Sequence, residues 1–220
     1  MGRQEPDAAK STSDRILEAA EICFATKGIR ATTLKEITEL ADVNIAAVNY
    51  HFGSKDELVR AVYERSFRPL NEDRLRLLEK VEARADGAGI TLEDVLRALF
   101  EPMIRAWTTN RNFILLVGRL QHEPDAELNG YIQGQLYSEL VRRFLAAARK
   151  AAPDIPEADL FFWIHFLFGG TVYTLFNSQD MERLHAGRNL LDCPDVFLDV
   201  LISFGAAGLR SRRIPIATEK

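Results

Sequence analysis

The chain has 220 residues, with 28 Lys and Arg against 32 Asp and Glu and a formal net charge of −4. An apolar content of 47% allows a sizeable core in one or two globular domains. The mildly acidic balance excludes binding to nucleic acid by overall charge, so such binding would need a local cationic face.

Residues 1–11 are polar and read as a disordered arm, whose cations are Arg3 and Lys10. A first helix is expected over 13–27, with Ile16, Ala19, Ala20, Cys23 and Phe24 inward and Gly28 ending it. Thr33 and Glu36 then have the spacing of a capping box, in which each side chain satisfies an orphan N–H near the other. Leu34, Ile37, Leu40 and Ala41 form one helical stripe. Asp42 can take the left-handed turn and Val43 plugs it. Asn44 caps a second short helix over 45–52, with Val48 and Phe52 inward and Asn49, Tyr50 and His51 clustered near its end. Two helices so tightly linked must cross steeply, as in a helix-turn-helix whose second helix enters the DNA major groove.

Ser54 and Glu57 form a second box and start a long helix over 54–85, with a bend expected at Pro69. Leu58, Val62, Leu75 and Leu78 are its apolar positions, and Arg74, Arg76, Glu79, Lys80 and Glu82 read as a solvated face. Residues 85–90 are a loop. Thr91 caps a helix carrying Leu96, Leu99, Phe100, Met103, Ile104 and Trp107, with a kink expected at Pro102. Helices over 111–120 and 126–151 follow. Segment 157–177 is apolar nearly all round, with Gly169 and Gly170 in its middle suggesting close approach of another helix. A loop over 178–194 precedes a last helix over 195–209, and Arg210, Arg212 and Arg213 suit its C-terminus. The pattern is all-α, with about nine helices and no strand signal.

Cys23 and Cys193 lack metal-ligand spacing, and Cys23 falls on a buried stripe. The N-terminus is polar through Asp14, and the longest apolar run, 160–176, is short for a membrane span. A cytoplasmic protein is expected, with no membrane partner. No nucleophile elbow, phosphate loop, metal box or carboxylate pair is visible, so no enzyme and no cofactor are expected.

The run Thr33–Lys55 resembles the DNA-binding domain of the TetR family of one-component regulators. The residues that carry the likeness are Phe24, Gly28, Thr32, Thr33, Ile37, Ala41, Val43, Asn49, Tyr50, His51, Phe52, Ser54, Lys55 and Leu58. Thr38 and Asp42 depart from the usual Ala and Gly. The resemblance implies a helix-turn-helix domain over 12–62, a ligand-binding and dimerisation domain over 63–213 and a tail over 214–220. It carries DNA contact onto Thr33, Lys35, Ile45, Ala46, Ala47, Asn49, Tyr50, His51 and Lys55. Of these Thr33, Tyr50, His51 and Lys55 would hold phosphates, while Lys35, Ala46 and Ala47 would meet base edges.

The body of the chain is expected to pair two-fold, with Phe162, Gly169, Phe197, Leu201, Phe204 and Gly208 in the interface. Phe100, Met103, Trp107, Phe113, Val117, Trp163, Phe166 and Tyr173 are candidate pocket walls. Arg105, Arg119, His165, Thr171 and Tyr173 are the few polar groups within the apolar elements, and His165 reads as a buried core residue. Segments 46–71 and 159–170 look similar to fatty-acid-responsive members of the family, which implies a fatty acid or acyl thioester as effector. The function expected is a ligand-responsive dimeric repressor on an inverted-repeat, double-stranded operator. An activator of the same family and a helical interaction protein without DNA binding are the alternatives.

Overall fold

The computed structural model describes residues 10–84, 89–122, 126–184 and 192–211, and among them only helices occur. Helix α1 (Thr12–Lys27) begins where the Ser11 hydroxyl accepts the Asp14 N–H, and ends at Gly28, whose φ of 90° suits a residue without Cβ. Lys10 pairs with Glu18 at 2.8 Å. Arg3 and most of the expected arm lie outside the described residues, as do the expected tail, Arg212 and Arg213.

Helix α2 (Leu34–Ala41) starts with the full capping box: Thr33 accepts from the Glu36 N–H, and the Glu36 carboxylate accepts from the Thr33 N–H. Asp42 then turns the chain in the left-handed region, with φ 51° and ψ 54°. Arg15 of α1 donates to the carbonyls of Ala41 and Asp42, both at 2.6 Å, and so fastens the turn to α1. Asn44 caps α3 (Ile45–Phe52) by accepting the Ala47 N–H. Val48 buries one side of α3 against α1 and α4. These three helices share a core of Ile16, Ala20, Phe24, Ile37 and Val48. Burial of each of the larger ones, Ile16, Phe24, Ile37 and Val48, stabilises the head by about 1.5–3 kcal/mol.

Helix α4 (Lys55–Arg84) runs unbroken through Pro69. Ser54 caps it by accepting the Glu57 N–H at 3.1 Å. Glu57 itself turns to Arg60 at 2.6 Å instead of closing a second capping box. The inner stripe of α4 is Phe67, Leu70, Asn71, Arg74, Leu78 and Val81. Arg74 therefore corrects the sequence reading: it is 1% exposed and sits inside, not on a solvated face.

Helix α5 (Leu92–Thr109) is capped by Thr91 and continues through Pro102. Helix α6 (Arg111–His122) follows. The single helix expected over 126–151 is α7 (Ala126–Tyr131) and α8 (Ser138–Ala151), joined by a π-helical stretch, Ile132–Tyr137. Helix α9 (Glu157–Phe176) is long and apolar enough to cross a membrane by length and composition. In the fold it packs against α6, α8 and α11. The first part of the expected loop over 178–194 is a short helix, α10 (Ser178–Leu184), and 185–191 lie outside the described residues. Helix α11 (Pro194–Arg210) packs on α5 and α9.

Close approach is found at Gly118 of α6, against the Phe176 ring, and on α11, rather than at Gly169 and Gly170. A Cβ added at Gly205 would stand 2.6 Å from the Leu167 side chain, and one at Gly208 would stand 3.3 Å from the Trp163 ring. Nothing lies within 4 Å of a Cβ added at Gly169 or Gly170.

The head is joined to the body through α1 as well as α4. Arg119 of α6 donates to the Thr26 carbonyl at 2.9 Å, and Asn110 donates to the Glu21 carboxylate at 2.8 Å. The buried Tyr63 hydroxyl donates to the Leu116 carbonyl at 3.1 Å.

Candidate nucleic-acid interface and internal cavity

The outer face of α3 carries Ile45, Ala46, Asn49, Tyr50 and His51, all exposed, with Ala47 half-buried. Tyr50 is 85% exposed, and its ring meets His51 edge-on at 5.1 Å. A large aromatic side chain so exposed on a short helix contributes little to the core, so its hydroxyl and ring are available to a partner. Thr33 and Lys35 are exposed at the start of α2, on the neighbouring element. Lys35 stands 3.8 Å from Glu39 across one turn, a solvated pair of little energetic weight.

Lys55 is placed differently from the rest. Its ammonium donates to the carbonyls of Ile29 and Thr32, both at 2.6 Å, and is half-buried. It ties the loop between α1 and α2 to the start of α4. Of its three donors only one remains for a phosphate.

Glu36 is also fixed by its neighbours. Lys27 at 2.6 Å, and then the N–H and hydroxyl of Thr33, hold its carboxyl down at about 2. Ionised Glu36 thus ties Lys27 at the end of α1 to Thr33 at the start of α2.

A cavity of about 480 Å³ opens in the body between α4, α5, α6, α8, α9 and the π-helical stretch. Its apolar lining comes mainly from Leu140, Phe144, Phe161, Ile164 and Phe168, with Val117 and Leu120 from α6. Asn129, Gln133, Tyr137, His165 and Arg74 are the polar residues, and no carboxylate is among the lining residues.

Arg74 is held from two sides. Its Nε donates to the Leu99 carbonyl at 2.9 Å, and Nη1 donates to Asn71 Oδ1 at 3.1 Å. Asn71 in turn donates to the Leu136 carbonyl in the π-helical stretch at 2.7 Å. The buried Nη2 has no hydrogen-bond partner. Burial pushes the Arg74 guanidinium down from its ordinary value, and the neighbouring Tyr137 pushes it back up. Burial likewise pushes the Tyr137 phenol up to about 12, so it remains a neutral O–H.

The sequence placed the pocket among other residues. Val117 alone of the expected wall residues lines this cavity. Phe100, Met103 and Phe113 are buried core, and Trp107 packs half-buried against that core. Trp163 lies under Gly208. Phe166 and Tyr173 face outward, 70% and 56% exposed. His165 is exposed rather than buried, and its Nδ1 is 2.9 Å from the Phe161 carbonyl. Arg105 pairs with Glu101 on the surface, and Thr171 is buried and donates to the Leu167 carbonyl at 2.7 Å.

The missed residues had a signal. Leu70, Arg74 and Leu78 recur every fourth residue, so Arg74 interrupts an apolar stripe. Such a cation is either paired or waiting for a partner.

The expected interface residues also divide. Phe162 and Phe204 are exposed, Leu201 and Gly208 are half-buried, Phe197 is buried within the chain, and Gly169 borders the cavity. Phe162, Phe166 and Tyr173 of α9 and Val196, Val200 and Phe204 of α11 leave a large apolar surface uncovered on these two packed helices.

The family profile described as "Bacterial regulatory proteins, tetR family" matches residues 16–62, and "Tetracyclin repressor-like, C-terminal domain" matches residues 97–208. The HTH-type transcriptional regulator TtgR of Pseudomonas putida is 35% identical over 117 residues, 52% of this chain. That match spans 54% of TtgR, so the chain aligns with about half of this relative's length. The HTH-type transcriptional repressor Rv3405c of Mycobacterium tuberculosis is 32% identical over 147 residues, 66% of this chain and 71% of that protein. A TetR-like transcriptional regulator from Rhodococcus sp. RHA1 superposes with a TM-score of 0.62 at 19% identity, over 95% of this chain and 100% of the other.

Proposed function

The chain belongs to the TetR family of bacterial regulatory proteins, and from that premise we propose that it is a dimeric transcriptional repressor released from its operator by a small apolar effector. The observation that carries the reading is the outer face of α3, where Asn49, Tyr50 and His51 stand exposed beside the buried Val48. A helix fixed from behind, with polar and aromatic groups in front, is what the major groove admits.

Thr33, Lys35, Ile45, Ala46, Ala47, Asn49, Tyr50 and His51 make up the DNA-facing surface. Lys55 acts mainly by holding the loop that presents Thr33. The uncovered face of α9 and α11 supplies the two-fold contact, and two heads so joined would read an inverted repeat in double-stranded DNA, in the cytoplasm.

The cavity takes the effector. Its wall includes Arg74 of α4 and Val117 and Leu120 of α6. Both helices are tied to the head, α4 by continuity and α6 by Arg119. An effector that favours a different setting of these helices shifts the population away from DNA.

The test begins with selection of binding sites from a random duplex library, followed by fluorescence anisotropy over a salt series. The expected result is a selected inverted repeat, with affinity falling steeply as salt rises. Binding without sequence preference, or none, would overturn the reading.

A further inference from the structure

We propose that the effector is an apolar monocarboxylate, a free acid whose head is taken by Arg74 and Tyr137 and whose tail fills the apolar part of the cavity. The proposal rests on the reading of the cavity as the effector site.

Arg74 carries a charge that nothing around it balances. A guanidinium stays protonated in a protein. Arg74 is 1% exposed, its two hydrogen bonds go to neutral oxygens, and no carboxylate is among the lining residues of the cavity. Holding a buried cation without a counter-charge costs several kcal/mol, which an incoming anion offsets. Nη2 makes no hydrogen bond of normal geometry. The neutral Tyr137 phenol, which also lines the cavity, interacts with the same guanidinium through its oxygen and keeps its O–H to donate. Two donors side by side suit the two oxygens of one carboxylate.

About 480 Å³ of mostly apolar space suits a small lipophilic molecule. A coenzyme thioester would bring a nucleotide and several phosphate charges, and the cavity lining offers a single Arg and no Lys. A neutral ester or alcohol would leave the guanidinium uncompensated.

Nη2 is closed off from solvent, so the acid reaches it only if the wall gives slightly. The π-helical stretch, Ile132–Tyr137, is the element that can do so. It carries Tyr137 and accepts the Asn71 hydrogen bond through Leu136, and a π turn can tighten to an α turn. The acid would thus act on α4 and on its neighbour together.

Isothermal titration calorimetry on the purified full chain tests this without DNA. Octanoate, laurate, palmitate and 4-phenylbutyrate are compared with their methyl esters, with the matching alcohols and with palmitoyl-coenzyme A. The expected result is that at least one acid binds about 10- to 100-fold more tightly than its ester and alcohol, the weight of a charged hydrogen-bonded pair. Arg74→Gln should remove that preference, so that acid and ester bind alike. Tyr137→Phe should reduce it and, lacking any change of charge, serves if Arg74→Gln fails to fold. Equal binding of acid and ester, tighter binding of the thioester, or no binding of any acid overturns the proposal. Because this measurement uses no DNA, absence of operator binding would sink the repressor reading and leave the acid preference to be judged on its own.

Discussion

Replacing Phe204 with Glu should break the proposed two-fold dimer. Phe204 is 61% exposed on α11, which packs against α9, where Phe162 and Phe166 are also exposed. A Phe side chain offers about 200 Å² for burial, so roughly 120 Å² of this ring is available to a partner. At about 25 cal/mol per Å² that is about 3 kcal/mol per ring. A two-fold contact loses it on both sides, about 6 kcal/mol in all, before the cost of burying two carboxylates is added. Such a loss weakens association by about four orders of magnitude, taking a nanomolar dimer to monomer at micromolar concentration. Sedimentation velocity over a concentration series reads this directly, with Ile22→Glu as a control on a residue of α1 away from that surface. Circular dichroism should show unchanged helicity in both variants. A Phe204→Glu protein that sediments as the wild-type dimer would refute the assignment of this face.

Three further outcomes are expected. Tyr50→Ala should weaken operator binding by about tenfold or more in anisotropy while shifting stability by less than about 0.5 kcal/mol, because the ring packs on nothing buried; an equal loss of stability would assign it to the core. Lys55→Ala should lower the thermal stability of the chain by about 1–3 kcal/mol, since two carbonyls lose a charged donor; an unchanged melting temperature would show that its contacts are not formed in solution. Glu36 has its folded value depressed from 4.5 to about 2, so its contribution is complete above 4.5 and is lost as pH falls toward 2. Acid unfolding of Glu36→Gln followed by circular dichroism should therefore be less pH-dependent than wild type in that window, and identical slopes would count against the Lys27–Glu36–Thr33 cluster.

What could be read from the sequence is what is decided locally. Caps at Thr33, Asn44, Ser54 and Thr91, the left-handed Asp42 and the end of α1 at Gly28 each depend on a few neighbouring residues, and the chain carries the right ones in order. The head was legible because its helices are short and cap-defined. The cavity was not, because its position depends on which faces of several distant segments meet. Aromatic density pointed to Phe100, Met103 and Phe113, which fill space rather than enclose it. Arg74 was hidden among Glu72, Asp73 and Arg76, whose charges mask the stripe it belongs to. The π-helical stretch and α10 have no periodicity of their own that separates them from an α-helix or a loop.

The unbroken course of α4 has a mechanical consequence. Arg74 lies nineteen residues beyond Lys55 on one rod, which at 1.5 Å per residue makes a lever arm of about 28 Å. A tilt of about 5° pivoting at Arg74 would swing the far end by about 2.5 Å, and two mirrored arms would change the span between the heads by up to about 5 Å. Hydrogen bonds to phosphate oxygens fail within a fraction of that distance. On the proposed reading, a displacement at the cavity too small to disturb the packing around it would be enough, by leverage alone, to put one of two heads out of register with its half of the operator.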